Sequence, residues 1–170
     1  MICESLKTID YDAIIINEPI KNSVLQYNYF YKLLYSTPIV VLTSIFLLFE
    51  LNNVIVDNDK ALFNKNTIND SVFNKLNHLE EYILCLINSP KAKLYKFREL
   101  YENQYFKYSL CDDIDKFNNY KHVNTLDGKN NKFVLKISGI WESKENIGLT
   151  FKIIIINKCI EFNLSTRSIC

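Results

Sequence analysis

The sequence predicts an α+β fold: a mainly antiparallel β-sheet with two helices inserted between N-terminal and C-terminal strands. Three observations predict it. Apolar and aromatic residues alternate with period two over residues 24–35 and again over 133–156, the signature of strands with one face turned inward. Between them, residues 72–87 change to spacings of three and four, which is helical. Strands, then helices, then strands is the order of an α+β chain.

The first element is a β-branched run, Tyr11 to Asn17, expected to end at Glu18-Pro19. In the next strand Tyr27, Tyr29, Tyr31, Leu33 and Tyr35 share one side, and Asn28, Phe30, Lys32 and Leu34 the other. Residues 33–49 then carry no charge for 17 residues, near the lower limit of a membrane span. Pro38, four Ser/Thr positions and β-branched residues favour two buried strands instead, over 39–42 and 45–51, with a turn at Thr43-Ser44. A membrane-embedded segment is not expected.

After a polar stretch with a short strand at 54–56, Val72, Phe73, Leu76, Leu79, Ile83, Leu86 and Ile87 predict a helix capped by Asp70 or Ser71. Glu80 and Glu81 are expected on its outer face, and Cys85 on its apolar one. Ser89-Pro90 reads as the start of a second helix. Its apolar stripe is Leu94, Phe97, Leu100 and Tyr101, and Lys91, Lys93, Lys96 and Arg98 form a basic cluster.

A strand is predicted over 105–110 and a polar loop over 111–131, with a turn at Asp127-Gly128. The chain closes on a hairpin, with Phe133, Leu135, Ile137, Gly139 and Trp141 on one face and Leu149, Phe151, Ile153 and Ile155 aligned opposite. Residues 159–164 are expected to add a last strand. No repeat or linker interrupts the 170 residues, so a single domain over 1–170 is expected.

The composition is 48% hydrophobic and 23% charged, that of a folded chain. Abundant Ile, Asn, Lys, Tyr and Phe match AT-rich codons. The net charge of +1 counts against nucleic-acid binding by overall charge, so such a function requires basic residues gathered on one face. Five cysteines without a C-x-x-C pair predict a reduced, intracellular protein. No basic segment followed by an apolar one stands at the N-terminus, so no signal peptide is expected.

The residues predict no enzyme. The two histidines, His78 and His122, have no ligand-spaced cysteines. Asp112, Asp113 and Asp115 lack the glycine and closing glutamate of a calcium loop. Gly128, Gly139 and Gly148 form neither a phosphate loop nor a dinucleotide fingerprint. No catalytic residue, metal site or cofactor is therefore predicted.

What remains is aromatic and basic. Strand aromatics stack bases and neighbouring lysines follow phosphates, but alternating aromatics on a strand more often pack a core. Trp141, on the alternating apolar face beside Leu135 and Ile137, is expected in the core more often than against a ligand.

Several segments resemble a family of small OB-like proteins from large nucleocytoplasmic DNA viruses. An aromatic strand leads into Tyr35-Ser36-Thr37-Pro38 and an apolar strand at 39–42. A helical pattern, F-x-x-L-x-x-L-E-E-x-I, spans Phe73 to Ile83. The chain then closes on Leu135 to Trp141 and Gly148-Leu149-Thr150-Phe151-Lys152. The match runs in order from about Asn17 to Lys158 and departs at Ile39, Val40 and Val41, where the family carries more basic residues.

The resemblance implies an OB-like, non-enzymatic protein that binds single-stranded DNA during viral genome replication, in the host cytoplasm (viral factory) or nucleus. For such binding, the strand aromatics and nearby basic residues make Tyr29, Tyr31, Lys32, Lys136, Trp141 and Lys152 the expected contacts, with Lys93, Lys96 and Arg98 as a second phosphate site. The rival expectation is a virion or replication-complex assembly protein, joining copies of itself or viral replication proteins.

Overall fold

The structure, a computed structural model, describes residues 3–21, 29–57, 59–109 and 131–156. In chain order the elements are β1 (Glu4–Ser5), β2 (Ile14–Lys21), β3 (Tyr29–Ser36), β4 (Val41–Leu42), β5 (Ile45–Leu51), β6 (Val54–Asp57), β7 (Lys60–Phe63), α1 (Thr67–Cys85), β8 (Ala92–Leu94), α2 (Lys96–Asn103), β9 (Tyr105–Lys107), β10 (Asn131–Glu142) and β11 (Asn146–Ile156). This is an α+β fold, with both helices between the N-terminal and C-terminal strands. The expected strand over 159–164, the turn at Asp127-Gly128, His122, the acidic cluster at 112–115 and residues 24–28 lie outside the described residues.

β10 organises the larger, eight-stranded sheet. One of its edges pairs with β11 along nearly the whole length. The other edge is shared: Asn131 to Ile137 pair with β5, and Gly139 to Glu142 pair with β3. The exchange of partner coincides with a register shift between Ile137 and Gly139. Ser138 is therefore an extra residue in the ladder, a β-bulge that bends the strand. β2 and β4 flank β3, while β1 and β8 add parallel pairs to β5 and β11. A second sheet has the order β6-β7-β9. Among the described residues these ladders do not close into a ring.

The core lies between the inner face of the large sheet and a layer made of α1, α2 and the small sheet. Phe73, Phe97, Phe106 and Phe133 are fully buried there, and burying such a side chain contributes about 1.5–3 kcal/mol. The rings interlock, Phe106 edge-on to Phe133 at 5.2 Å between centroids and Phe63 stacked on Phe73 at 4.8 Å. Buried Asn69 clamps the β5–β6 turn to α1: its amide nitrogen donates to the carbonyls of Asn52 and Asn64, and its oxygen accepts the Asn52 N–H.

Several expectations are corrected. β2 continues through Glu18-Pro19 to Lys21, because it is paired only with β3 and a register shift accommodates the proline there. Residues 39–42 do not form a buried strand: only Val41–Leu42 is extended, at the sheet margin, and Ile39 and Val41 are 79% and 60% exposed. The uncharged stretch is divided among β3, β4 and β5, and no helix among the described residues is long and apolar enough to cross a membrane. β7 emerges from a stretch read as polar, where Ala61 and Phe63 alternate inward.

α1 begins earlier than expected, with Asn66 as its cap, accepting the Ile68 and Asn69 N–H groups. Cys85, in the last turn, is exposed. Glu80 is fully buried rather than outward. Its carboxylate accepts the N–H groups of Lys96 at 2.8 Å and Phe97 at 3.0 Å, the opening residues of α2. That helix starts after Tyr95, which offers no side-chain cap of its own, so a residue of another helix supplies the cap. Ser89-Pro90 does not start it, because Ala92–Leu94 instead pairs with β11 as β8.

The bulge produces the correction that matters most for function. Before it, Phe133, Leu135 and Ile137 face the core; after it, Ile140 and Glu142 do. Trp141 is therefore on the opposite, outer face of the sheet.

Candidate nucleic-acid interface

Residues opposite one another in a ladder project to the same side, so the pairings define the outer face row by row. One row holds Phe46, Lys136 and Lys152. The next holds Lys32, Gly139 and Thr150. The third holds Phe30, Trp141 and Gly148, with Ile20 beside Phe30 and Leu94 beside Gly148. Lys152 and Thr150 are exposed, and Phe30, Lys32, Phe46, Lys136 and Trp141 are half-buried. Farther along β10 and β11 the same face is closed by buried Val134 and Ile154, so among the described residues its accessible part along these two strands is these three rows.

The glycines set the relief of this face. A Cβ on Gly139 would lie 2.4 Å from Phe30 Cζ and 2.4 Å from the Tyr31 carbonyl oxygen. A Cβ on Gly148 would lie 2.7 Å from Trp141 Cζ2. Each ring thus rests directly over a glycine in the neighbouring strand, close to the sheet, where any side chain would lift it. The rings are held as a low platform.

The electrostatics are one-signed. Lys136 and Lys152 are directly opposed, and like charges opposite one another on a sheet are destabilising. Lys136 Nζ sits 5.5 Å from the Phe46 ring centroid, a cation–π contact. Among the described residues, no carboxylate is paired with Lys32, Lys136 or Lys152. Lys132, on the same face, is 3.5 Å from Glu50 and already neutralised. A chain of net charge +1 thus places three lysines, unpaired with any carboxylate among the described residues, beside three aromatic rings.

The structure brings together four of the sequence-predicted contacts, Lys32, Lys136, Trp141 and Lys152, and separates the other five. Tyr29 and Tyr31 point to the opposite face, paired with Glu142 and Ile140. The Tyr31 hydroxyl donates to Glu142 Oε2 at 2.7 Å. Lys91 Nζ lies 2.9 Å from Glu142 Oε1, which also accepts from the Ser89 hydroxyl. Burial alone would raise the Glu142 carboxyl, but Lys91, Tyr31 and Ser89 outweigh it and hold it below the usual carboxylate range. Burial, with the bond to Glu142, pushes the Tyr31 hydroxyl up to about 12. This network ties the residues before β8 to the end of β10 and leaves Tyr31 committed to the fold.

Lys93 pairs with Ile147 on the inner side, its Nζ 3.2 Å from Cys85 Sγ. Lys96 pairs with Glu99 along α2. Arg98 lies over the Tyr95 ring, 5.8 Å from the centroid. The helix cluster therefore does not extend the lysine rows of the sheet.

Phe30 and Phe46 belong to the platform and were absent from the predicted contacts. Phe30 had a legible signal, since it shares its alternation phase with Lys32. Phe46 had none, because an uninterrupted apolar strand does not tell its inner from its outer residues. Compared with known families, curated proteins and solved structures, the chain matches none.

Proposed function

We propose that the protein binds single-stranded DNA on the outer face of its large sheet, without a catalytic step. Bases stack on Trp141, Phe30 and Phe46, and phosphates lie along Lys32, Lys136 and Lys152. One observation carries this reading: three lysines converge beside the rings with no carboxylate paired to them among the described residues, two of them directly opposed at a cost to stability. A polyanion relieves that repulsion, and stacking with phosphate neutralisation is how sheet surfaces hold single strands. The resemblance to proteins of large nucleocytoplasmic DNA viruses supports genome replication as the setting.

Trp141 is the sole tryptophan in the chain, so its fluorescence reports on the platform without a label. Titration with an oligothymidylate at low salt should quench it. Neutralising three phosphates gives a slope of about −2 in log K against log salt, about twentyfold weaker binding between 50 and 200 mM salt. Unchanged emission, with flat polarisation of a labelled oligonucleotide at low salt and micromolar protein, would remove the proposal.

A second reading rests on the rim of the same face, where Ile15, Ile20 and Val41 are 45%, 60% and 60% exposed. Exposed aliphatics of this kind fit protein–protein contact, as in an assembly protein. Light scattering that finds a stable oligomer, together with no DNA binding, would favour it.

A further inference from the structure

The three rows have a fixed length and a restricted chemistry. On β11 the distance from Lys152, in the first row, to Gly148, in the third, is four residues, or about 13 Å along the strand. Rings occupy both ends of that distance: Phe46 at one, Trp141 with Phe30 at the other. The lysines lie at the Phe46 end and in the middle. At the base spacing of a stacked strand, about 3.4 Å, 13 Å holds about four nucleotides. Among the described residues, the face beyond the Phe46 row turns to buried Val134 and Ile154 and then to the paired Lys132 and Glu50, which add neither a ring nor a lysine without a carboxylate partner.

Of the side chains that read base edges, the same rows hold only their lysines and Thr150. Discrimination among bases uses bidentate Arg, Lys, Asn or Gln, or an acid accepting from cytosine. At the ladder positions of the three rows stand aromatics, lysines, glycines and Thr150, with Ile20 and Leu94 beside them. Asn, Gln, Asp, Glu and Arg are missing from them. The lysines flank the rings and are placed for the backbone between stacked bases.

Resting on single-stranded DNA binding at this face, we infer that the site is a short, base-neutral clamp. It holds about four nucleotides, one end stacked on Trp141 and Phe30, the other on Phe46, with the intervening phosphates on the lysines. A longer strand gains only the choice of where to be held.

The test is a length series of oligothymidylates of two, four, eight and sixteen nucleotides, titrated at low salt on Trp141 emission, for the natural chain and for Phe46→Ala. Affinity should climb steeply from two to four nucleotides, then rise only about threefold from eight to sixteen, as registers are added. Phe46→Ala should bring the four-nucleotide affinity down toward the natural chain's two-nucleotide value, because it removes the ring at one end of the track; an unchanged four-nucleotide affinity would overturn the two-ended clamp. Far-ultraviolet circular dichroism reports whether the variant is folded. Mixed-sequence octamers should agree with the oligothymidylate within about tenfold.

A tenfold or larger gain from eight to sixteen nucleotides would overturn the footprint. A hundredfold preference for one sequence would overturn base neutrality. Failure of every length to bind the natural chain would refute the underlying function itself.

Discussion

Lys152→Gln separates a functional from a structural origin of the lysine rows, because the two predict different outcomes. Lys152 is exposed, is opposed by Lys136 and has no carboxylate partner among the described residues. Removing its charge relieves a like-charge pair, worth about half a kcal/mol. For a chain of this size that corresponds to a rise in Tm of about 1–2 °C, smaller in high salt because exposed charges are screened. Little packing is lost, since Lys152 is exposed and Gln keeps two of its four methylenes.

DNA binding should move the other way. With one of three phosphate contacts gone, the salt slope falls from about −2.1 to about −1.4. The affinity lost is the counterion release of one contact, about fivefold at 0.1 M salt. Thermal unfolding by circular dichroism and fluorescence titration at several salt concentrations measure both. Raised stability with weakened, less salt-dependent binding is expected. A variant with lower stability, or with an unchanged salt slope, would refute the assignment of Lys152 to the phosphate track.

Tyr31→Phe should lower stability by about 2 kcal/mol, the value of a hydrogen bond to a charged group, while leaving DNA affinity unchanged, since Tyr31 points away from the platform; denaturant melts and the same titration decide. The Tyr31–Glu142 network also predicts both flanks of the stability profile. The Glu142 carboxyl lies below its ordinary value in the folded chain, so its contribution is present above the unfolded pKa and is lost as pH falls through the folded one. The Tyr31 hydroxyl, ordinarily near 10, lies at about 12, so its contribution is full below pH 10 and is lost as pH rises toward 12; Tyr31→Phe should flatten that alkaline arm in pH-dependent melts. Glu80→Ala leaves two N–H groups at the start of α2 without their acceptor and should cost about 2 kcal/mol, with Glu80→Gln losing less.

Much of the architecture was legible because period is a physical signal. The alternation of β3 and β10–β11 and the helical spacing of α1 come from one-sided burial, which sequence records directly. What escaped was set by partners distant in the chain. Glu80 resembled a surface residue beside Glu81, and only the arrival of an uncapped helix start, sixteen residues on at Lys96, gives a buried carboxylate its hydrogen bonds. Val41 looked like core, yet β4 pairs only with Tyr35 and Ser36 at the sheet margin. On the platform, Lys32, Lys136 and Lys152 were readable as charges on strands. Tyr29 and Tyr31 stand beside Lys32 in the sequence, but alternation places neighbours of opposite parity on opposite faces.

Trp141 shows how a single residue converts fold into site. An unbroken alternation from Phe133 would carry Trp141 inward, in phase with Leu135 and Ile137. Ser138 adds one residue to the ladder, and everything after it changes face: Ile140 enters the core fully buried, Glu142 turns in to meet Tyr31 and Lys91, and Trp141 turns out over Gly148. The adjacent Gly139 was the sequence signal, since glycine inside a strand marks a bulge or a close approach, and here it marks both, with the Phe30 ring lying over it. The bulge also lies where β10 exchanges β5 for β3. Without that exchange, Phe46 and Phe30, from two strands that both pair with β10, would not stand at the two ends of one lysine-lined track. The local irregularity that spoils the alternation is therefore the feature that assembles the proposed interface.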